Sequence, residues 1–229
     1  MSNNKPEISV LLPSLRPELL SRTIKEFSET NPNVNYEIIV VSPFEVKGDK
    51  VIWVKEDKSE GSVIATNRAY TNSKGDYVMY FSDDVSPTKD CLKNMLSFMK
   101  KQVSPFVGAF KMVNLNGKEI GPFGAYKKLY ACYGCLNIET VLQLGGVFSS
   151  IFEYSWCDID LSLRCWLANG KVEICQDASV CPRQINDDIY KAHRGTSWDR
   201  DVETFLNRWH TILGNGLLRE QGVVNRRLE

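Results

Sequence analysis

The chain has 229 residues, 43% of them hydrophobic and 24% charged, which is ample apolar content for a folded core. Its 28 Lys and Arg balance 28 Asp and Glu, so no global basic field argues for a nucleic-acid partner. No apolar run approaches a membrane span and the opening residues Met1 to Pro6 carry no apolar signal core, so the expectation is a cytoplasmic protein without an integral membrane segment.

Ile8 to Leu12 reads as a first strand, ended by Pro13. Pro17 suits the first position of a helix in which Leu19, Leu20, Thr23, Ile24 and Phe27 recur at helical spacing, and Asn31-Pro32-Asn33 stops it. Ile38 to Val41 and Val51 to Val54 are the next strands, so the spacing predicts a βαβ unit and a parallel sheet. Gly61-Ser62 opens a second helix and Ser73 to Asp76 closes it. Tyr77 to Phe81 is a run of five apolar residues, which predicts a central strand buried on both faces.

Ser86-Pro87 reads as an N-cap with proline at the first helical position, and Cys91, Leu92, Met95, Leu96 and Met99 as the buried stripe of the helix that follows. Phe106 to Phe110 is a weaker strand, and Asn114 to Lys118 carries a hairpin signal. Trp156 to Ala168 predicts a helix with Trp156, Ile159, Leu163, Trp166 and Leu167 on one face and Asn169-Gly170 at its end. Val172 to Cys175 is a strand, Gln184 to Arg194 a polar loop, and Trp198 to Leu213 an amphipathic helix with Val202, Phe205, Leu206 and Trp209 inward. The tail from Arg219 to Glu229 reads as a solvated end. With no repeat and no Gly/Ser linker, a single domain is the simplest organisation.

The seven cysteines are odd in number and scattered, which does not suggest a disulfide framework. Cys132 and Cys135 form a lone CxxC without the partner pair or histidines a zinc site needs, so reduced buried thiols are expected.

Two stretches bear carboxylates where chemistry would need them. Ser82-Asp83-Asp84 follows the central strand, at the carboxyl edge where open α/β sheets bind ligands. Adjacent carboxylates repel, and a divalent cation that also touches substrate phosphates would relieve the repulsion; an ordinary turn is the alternative. Asp158 and Asp160 fall in the first turn of the later helix. There the helix dipole alone explains acids, while Asp158 suits a general base and Asp160 an i,i+4 pair with Arg164.

Taken together these landmarks resemble the inverting nucleotide-sugar glycosyltransferases of the GT-A fold, an α/β fold with a mainly parallel central sheet flanked by helices. The matching stretches are Ile8 to Ser14, Ala65-Thr66-Asn67-Arg68, Gly75-Asp76-Tyr77 leading into Ser82-Asp83-Asp84, Gly145 to Phe148, and Cys157 to Arg164. They cover roughly Ile8 to Val180 and imply one glycosyltransferase domain, with a nucleotide-binding half to about residue 103 and an acceptor-binding half beyond it. The implied reaction is metal-dependent, inverting transfer of a sugar from a nucleotide-diphosphate donor to a hydroxyl of a glycan, lipid-linked or small-molecule acceptor, as in polysaccharide biosynthesis. Pro13, Ser14, Arg16, Ser42, Asn67, Arg68, Ser82 and Asp83 would line the donor site, Asp84 and His193 would hold Mn2+ or Mg2+, and Asp158 would be the base.

The chain departs from the family pattern at four places. Ser82 stands for the first acid of the metal motif, Ser42-Pro43 for the nucleobase-reading Asp, and Cys157 for the Glu before the base; the late His is displaced to His193. A non-catalytic sugar- or partner-binding module of the same fold is one alternative. A nucleotidyltransferase is the other, although Leu12 to Arg16 lacks the glycines its phosphate loop would need.

Overall fold

The computed structural model describes residues 5–126 and 128–213. The first half is the predicted parallel unit: β1 (Ile8–Pro13), α1 (Pro17–Thr30), β2 (Tyr36–Ser42), β3 (Val51–Lys55), α2 (Ser62–Thr71) and β4 (Tyr77–Tyr80). The strands lie side by side as β3-β2-β1-β4, all parallel, with Ile8 opposite both Tyr36 and Tyr77. Their carboxyl ends therefore gather at one edge, which brings Ser14, Ser42 and Ser82 to Asp84 together.

Side-chain alternation fills both faces of this sheet, as the central run predicted. Met79 and Phe81 join Ile8, Val10 and Leu12 against Phe27 of α1 and Met95. Val78 and Tyr80 join Leu11 on the other face, with Ala65 and Ala69 of α2 and Leu161. Each large apolar side chain so buried contributes about 1.5–3 kcal/mol.

After β4 the chain runs through β5 (Val85–Pro87), α3 (Cys91–Met99), β6 (Phe106–Val113), β7 (Glu119–Gly121), β8 (Gly124–Ala125), β9 (Lys128–Leu129), β10 (Gly134–Asn137), α4 (Ile138–Gln143), α5 (Cys157–Leu167), β11 (Lys171–Pro182) and α6 (Asp188–Leu213). The sheet continues past β4 as β10-β6-β11-β5, with β7 on β6. It is mixed here: β10 is antiparallel to β4 and β6, β11 is parallel to β6, and β5 is antiparallel to β11. The predicted hairpin forms between β6 and β7, closed by Asn114 and by Gly117 at φ 75. All seven cysteines are free thiols, and no helix among the described residues is long and apolar enough to cross a membrane.

Three expectations are corrected. Ser86-Pro87 does not cap a helix; it lies in β5, where Val85 to Pro87 pair with Pro182 to Val180, and proline is tolerated in so short an edge strand. The helix begins at Cys91, behind Asp90 in the left-handed region at φ 56. The polar stretch from Gln184 is a loop only to Asp187. From Asp188 it is the start of α6, whose first turns are mostly exposed and so show no apolar stripe. On α5, Ile159 and Leu163 face α6 as predicted, but Leu167 is 52% exposed and Trp166 packs on the opposite side, donating to Leu129 O at 3.0 Å. The expectation for residues 219–229 falls outside the described residues.

Candidate active site

The two adjacent acids after β4 have different surroundings. Asp83 is 3% exposed; it accepts from Ser14 Oγ at 2.6 Å and from Arg16 Nη1 at 3.1 Å. Burial pushes its carboxyl up, and the Ser14 and Arg16 contacts oppose that. Asp84 is half-buried; it accepts a hydrogen bond from the Ser82 hydroxyl and has no cationic partner at ion-pair distance among the described residues. Asp84 is thus the carboxylate left available for a ligand.

The loop bearing these acids is held by Arg183, just past β11. Its N–H donates to Asp84 O at 2.7 Å, and its guanidinium donates to Val85 O and Thr23 Oγ1, each at 2.9 Å, and pairs with Glu26. Arg16 joins the loop to the start of α6, pairing through Nε with Asp187 at 2.6 Å. That contact draws the exposed Asp187 carboxyl down to about 2.

Asp158 was expected near an exposed helix start; the structure places it in the first turn of α5, half-buried. The segment leading into β10 covers it: the Cys132 thiol donates to its carboxylate, and Tyr130 donates to Cys132. Burial raises the Asp158 carboxyl from 3.8 to about 6, against stabilisation by the backbone N–H of Ile159 and by Cys132, with no cation among the groups that hold it. Trp156, at the N-cap, adopts φ 67.

Cys132 and its neighbour Tyr133 tie the two acidic sites together. The Tyr133 hydroxyl lies 3.3 Å from Ser82 Oγ, which donates to Asp84, while Cys132 touches Asp158. Asp84 and Asp158 both raise the buried Tyr133 phenol further. The strand end contributes as well: Tyr80 donates to Ala131 O at 2.6 Å, and Asp158 raises its phenol. Acids 74 residues apart in sequence, at positions 84 and 158, thus both act on Tyr133.

The other expected donor-site residues are arranged as follows. Pro13 and Ser14 stand at the end of β1, with Ser14 N–H on Val41 O at 3.0 Å. Ser42 is fully buried, its hydroxyl donating to Phe44 O and accepting from Trp53 Nε1 at 3.1 Å. Asn67 clamps the backbone of Phe148 from both sides, at 2.9 and 3.1 Å, locking α2 to the glycine turn after α4. Arg68 pairs with Glu60 and reaches Glu56 at 3.7 Å, on the wall of a cavity of about 530 Å³ that Lys55 and Lys58 also line. Glu56 itself is 2% exposed, and burial raises its carboxyl.

His193 lies on α6 and stacks on Tyr154 with ring centroids 3.8 Å apart. Burial and the nearby Arg16 lower its imidazole, while Asp187 and Glu153 act the other way. Among the described residues no three His, Cys, Asp or Glu side chains converge to hold a metal. One available hard carboxylate, Asp84, would suit a cation that takes its remaining oxygens from phosphates and water.

The sequence model described as "Glycosyl transferase family 2" matches residues 9–148, which holds β1, α2, the acidic loop and the Gly145-Gly146 turn. The chain belongs to that family. No curated protein sequence matches it. The family 2 chain superposes on a mannosyltransferase from Pyrobaculum calidifontis in complex with GDP-Man and Mn2+ with a TM-score of 0.63 at 13% identity, over 90% of this chain and 65% of that one. It superposes on residues 1-349 of S. aureus TarS in complex with UDP-GlcNAc at 0.62 and 16%, over 96% of this chain and 77% of that one. For GalNAc-T7 with UDP, GalNAc and Mn2+ the values are 0.62 and 13%, over 80% and 45%. At these identities the likeness shows the fold, and this family 2 chain spans about half the length of GalNAc-T7 and about two thirds of the mannosyltransferase.

The site also depends on residues that sequence reasoning missed: Cys132, Tyr133, Arg183, Asp187 and Asp201. Asp201 is fully buried and accepts three backbone N–H bonds, from Glu153, Tyr154 and Ser155 at 2.8–3.0 Å, so it anchors the loop that leads into Asp158. A signal for it existed: it shares the inward face of α6 with Phe205 and Trp209, at helical spacing. Arg183 had none, because its partners lie about 100–160 residues away in sequence.

Proposed function

We propose that this chain transfers a sugar from a nucleoside-diphosphate sugar to an acceptor hydroxyl with inversion at the anomeric carbon, in a metal-dependent reaction. The observation that carries the reading is that an available carboxylate, Asp84, and a half-buried one, Asp158, both lie against Cys132-Tyr133 at the carboxyl edge of the sheet. The structural relatives support the donor class, since their complexes hold UDP, GDP-Man and UDP-GlcNAc, two of them with Mn2+.

In this reading the diphosphate lies across the ends of β1 and β4, near Ser14, Arg16 and Asp84. A bound Mn2+ or Mg2+, held by Asp84, would offset the negative charge that gathers on the departing diphosphate. Asp83 keeps Arg16 in place. Asp158 accepts the proton of the acceptor hydroxyl as its oxygen attacks the anomeric carbon from the face opposite the leaving group. Burial raises the proton affinity of Asp158 towards working pH, which suits a base that must be ionised at rest and strong when used. Asn67 and Ser42 shape the pocket through the backbone they fix, and Arg68 faces its outer wall.

The test separates binding from transfer. Asp158→Asn should retain donor binding, by isothermal titration of the cognate nucleotide sugar, and lose transfer by about 10²–10⁴-fold, the ordinary worth of a general base. Full transfer by that variant would remove Asp158 from the chemistry.

A further inference from the structure

Three buried side-chain polar atoms have no hydrogen-bond partner among the described residues: Tyr36 Oη, Tyr126 Oη and Trp156 Nε1. Tyr36 starts β2, at the sheet edge opposite the acids. The other two meet in one place. Trp156 and Tyr126 both pack on the ring of Phe205, with centroids 4.9 and 6.2 Å away. Both also have left-handed backbone, at φ 67 and 50, which bulky aromatic residues rarely adopt. Unpaired buried donors and strained backbone each cost free energy, and such costs concentrate where a ligand later uses them.

The position gives the ligand its role. Trp156 lies two residues before Asp158, and the same cluster includes Tyr130 and Cys132, the hydrogen-bonded pair that reaches the base. Tyr126 is 7% exposed and borders β8, whose ladder with β9 is separate from the main sheet, so it can shift without breaking that sheet.

We propose that Tyr126 and Trp156, over Phe205, form the acceptor subsite, and that its occupant is an uncharged pyranose whose oxygens accept from the Tyr126 hydroxyl and the Trp156 indole N–H. This rests on the transferase reading above. A sugar ring matches both halves of the chemistry: its C–H face packs on aromatic rings, and its oxygens take the two donors. A lipid chain would leave both donors unpaired. Arg208, 5.7 Å over the Trp209 ring of the same cluster, is already paired with Asp160 at 3.2 Å, so a phosphate would have to compete with that carboxylate for it. Burial alone holds the Tyr126 phenol up at about 12, in keeping with a hydroxyl that has no partner in the unliganded protein.

The experiment is saturation-transfer NMR on the full chain with methyl pyranosides of glucose, galactose, mannose and N-acetylglucosamine, with and without Mn2+ and UDP or GDP. Wild type, Tyr126→Phe and Trp156→Phe are compared, with melting temperatures measured alongside. At least one pyranoside should bind wild type, and each variant should bind it about 5-fold more weakly, the ordinary loss for one hydrogen bond. Tyr126→Phe should melt at the same temperature as wild type or higher, because it deletes an unpaired hydroxyl. No pyranoside binding to wild type, or equal binding by the variants, overturns the proposal. Should Trp156→Phe fail to fold, Tyr126→Phe decides alone. Retained stabilisation by nucleotide sugar confines a failure to this subsite, whereas its loss from wild type defeats the transferase reading itself.

Discussion

At the scale of single residues, neighbouring carboxylates are set apart by what surrounds them. Asp83 is engaged by Ser14 and Arg16, and Asp84 stays available; Asp158 is half-buried beside a thiol, and Asp160 is neutralised by Arg164. For Asp158 the consequence runs with pH. Its folded-state carboxyl titrates at about 6 against 3.8 ordinarily, so the folded protein binds that proton more tightly than the unfolded chain. Stability from this group is therefore full at low pH and declines as pH rises from about 4 to about 6. Asp158→Asn should accordingly raise stability by about 1–2 kcal/mol near neutral pH and by nothing near pH ~4, measured by urea denaturation at the two values. The rate of transfer should fall on the acid side with an apparent pKa near 6, and a rate flat down to pH ~5 would contradict the base assignment. In the sequence, Asp158 was legible from its place before Asp160 and Arg164; its surroundings were not, since Tyr130 to Tyr133 reach it from another part of the chain.

At the scale of elements, α6 organises the half of the chain that holds α5. Asp201 anchors residues 153–155, Phe205 packs under Trp156, and Trp209 and Arg208 join Arg164 around the carboxylate of Asp160, at 3.1, 3.2 and 2.9 Å. Removing that carboxylate leaves the Arg164 charge inside without compensation. Asp160→Ala should cost about 3–5 kcal/mol in urea denaturation, and a loss under ~1 kcal/mol would show that α5 and α6 dock by apolar contact alone. The apolar period from Val202 to Trp209 made this helix readable. Its first turns were not, because Asp188 to Ala192 bury little and carry no period. Ser86-Pro87 misled for a related reason: a serine followed by a proline is a fair helix start, and only pairing with β11, about 95 residues on, makes it a strand.

At the scale of the whole molecule, four parallel strands carry the acidic loop and α5, beside the mixed extension, carries Asp158, with Arg16 and Arg183 bracing one half against the other. The parallel half followed from buried β-type runs and βαβ spacing. The extension was read only in part, because β5, β7, β8 and β9 are two or three residues long, too short to show a period, and β5 gains its order from pairing with the distant β11. The central claim is that this edge binds a nucleotide sugar through a metal on Asp84. The most direct test is a thermal-shift panel of UDP-, GDP-, TDP- and CMP-sugars with and without manganese, on wild type and Asp84→Ala. One donor should stabilise the wild type only with metal, by about 2.7 kcal/mol at ~100 times its dissociation constant, and the Asp84→Ala protein should lose the effect. A shift equally large without metal, or undiminished in Asp84→Ala, would contradict the account.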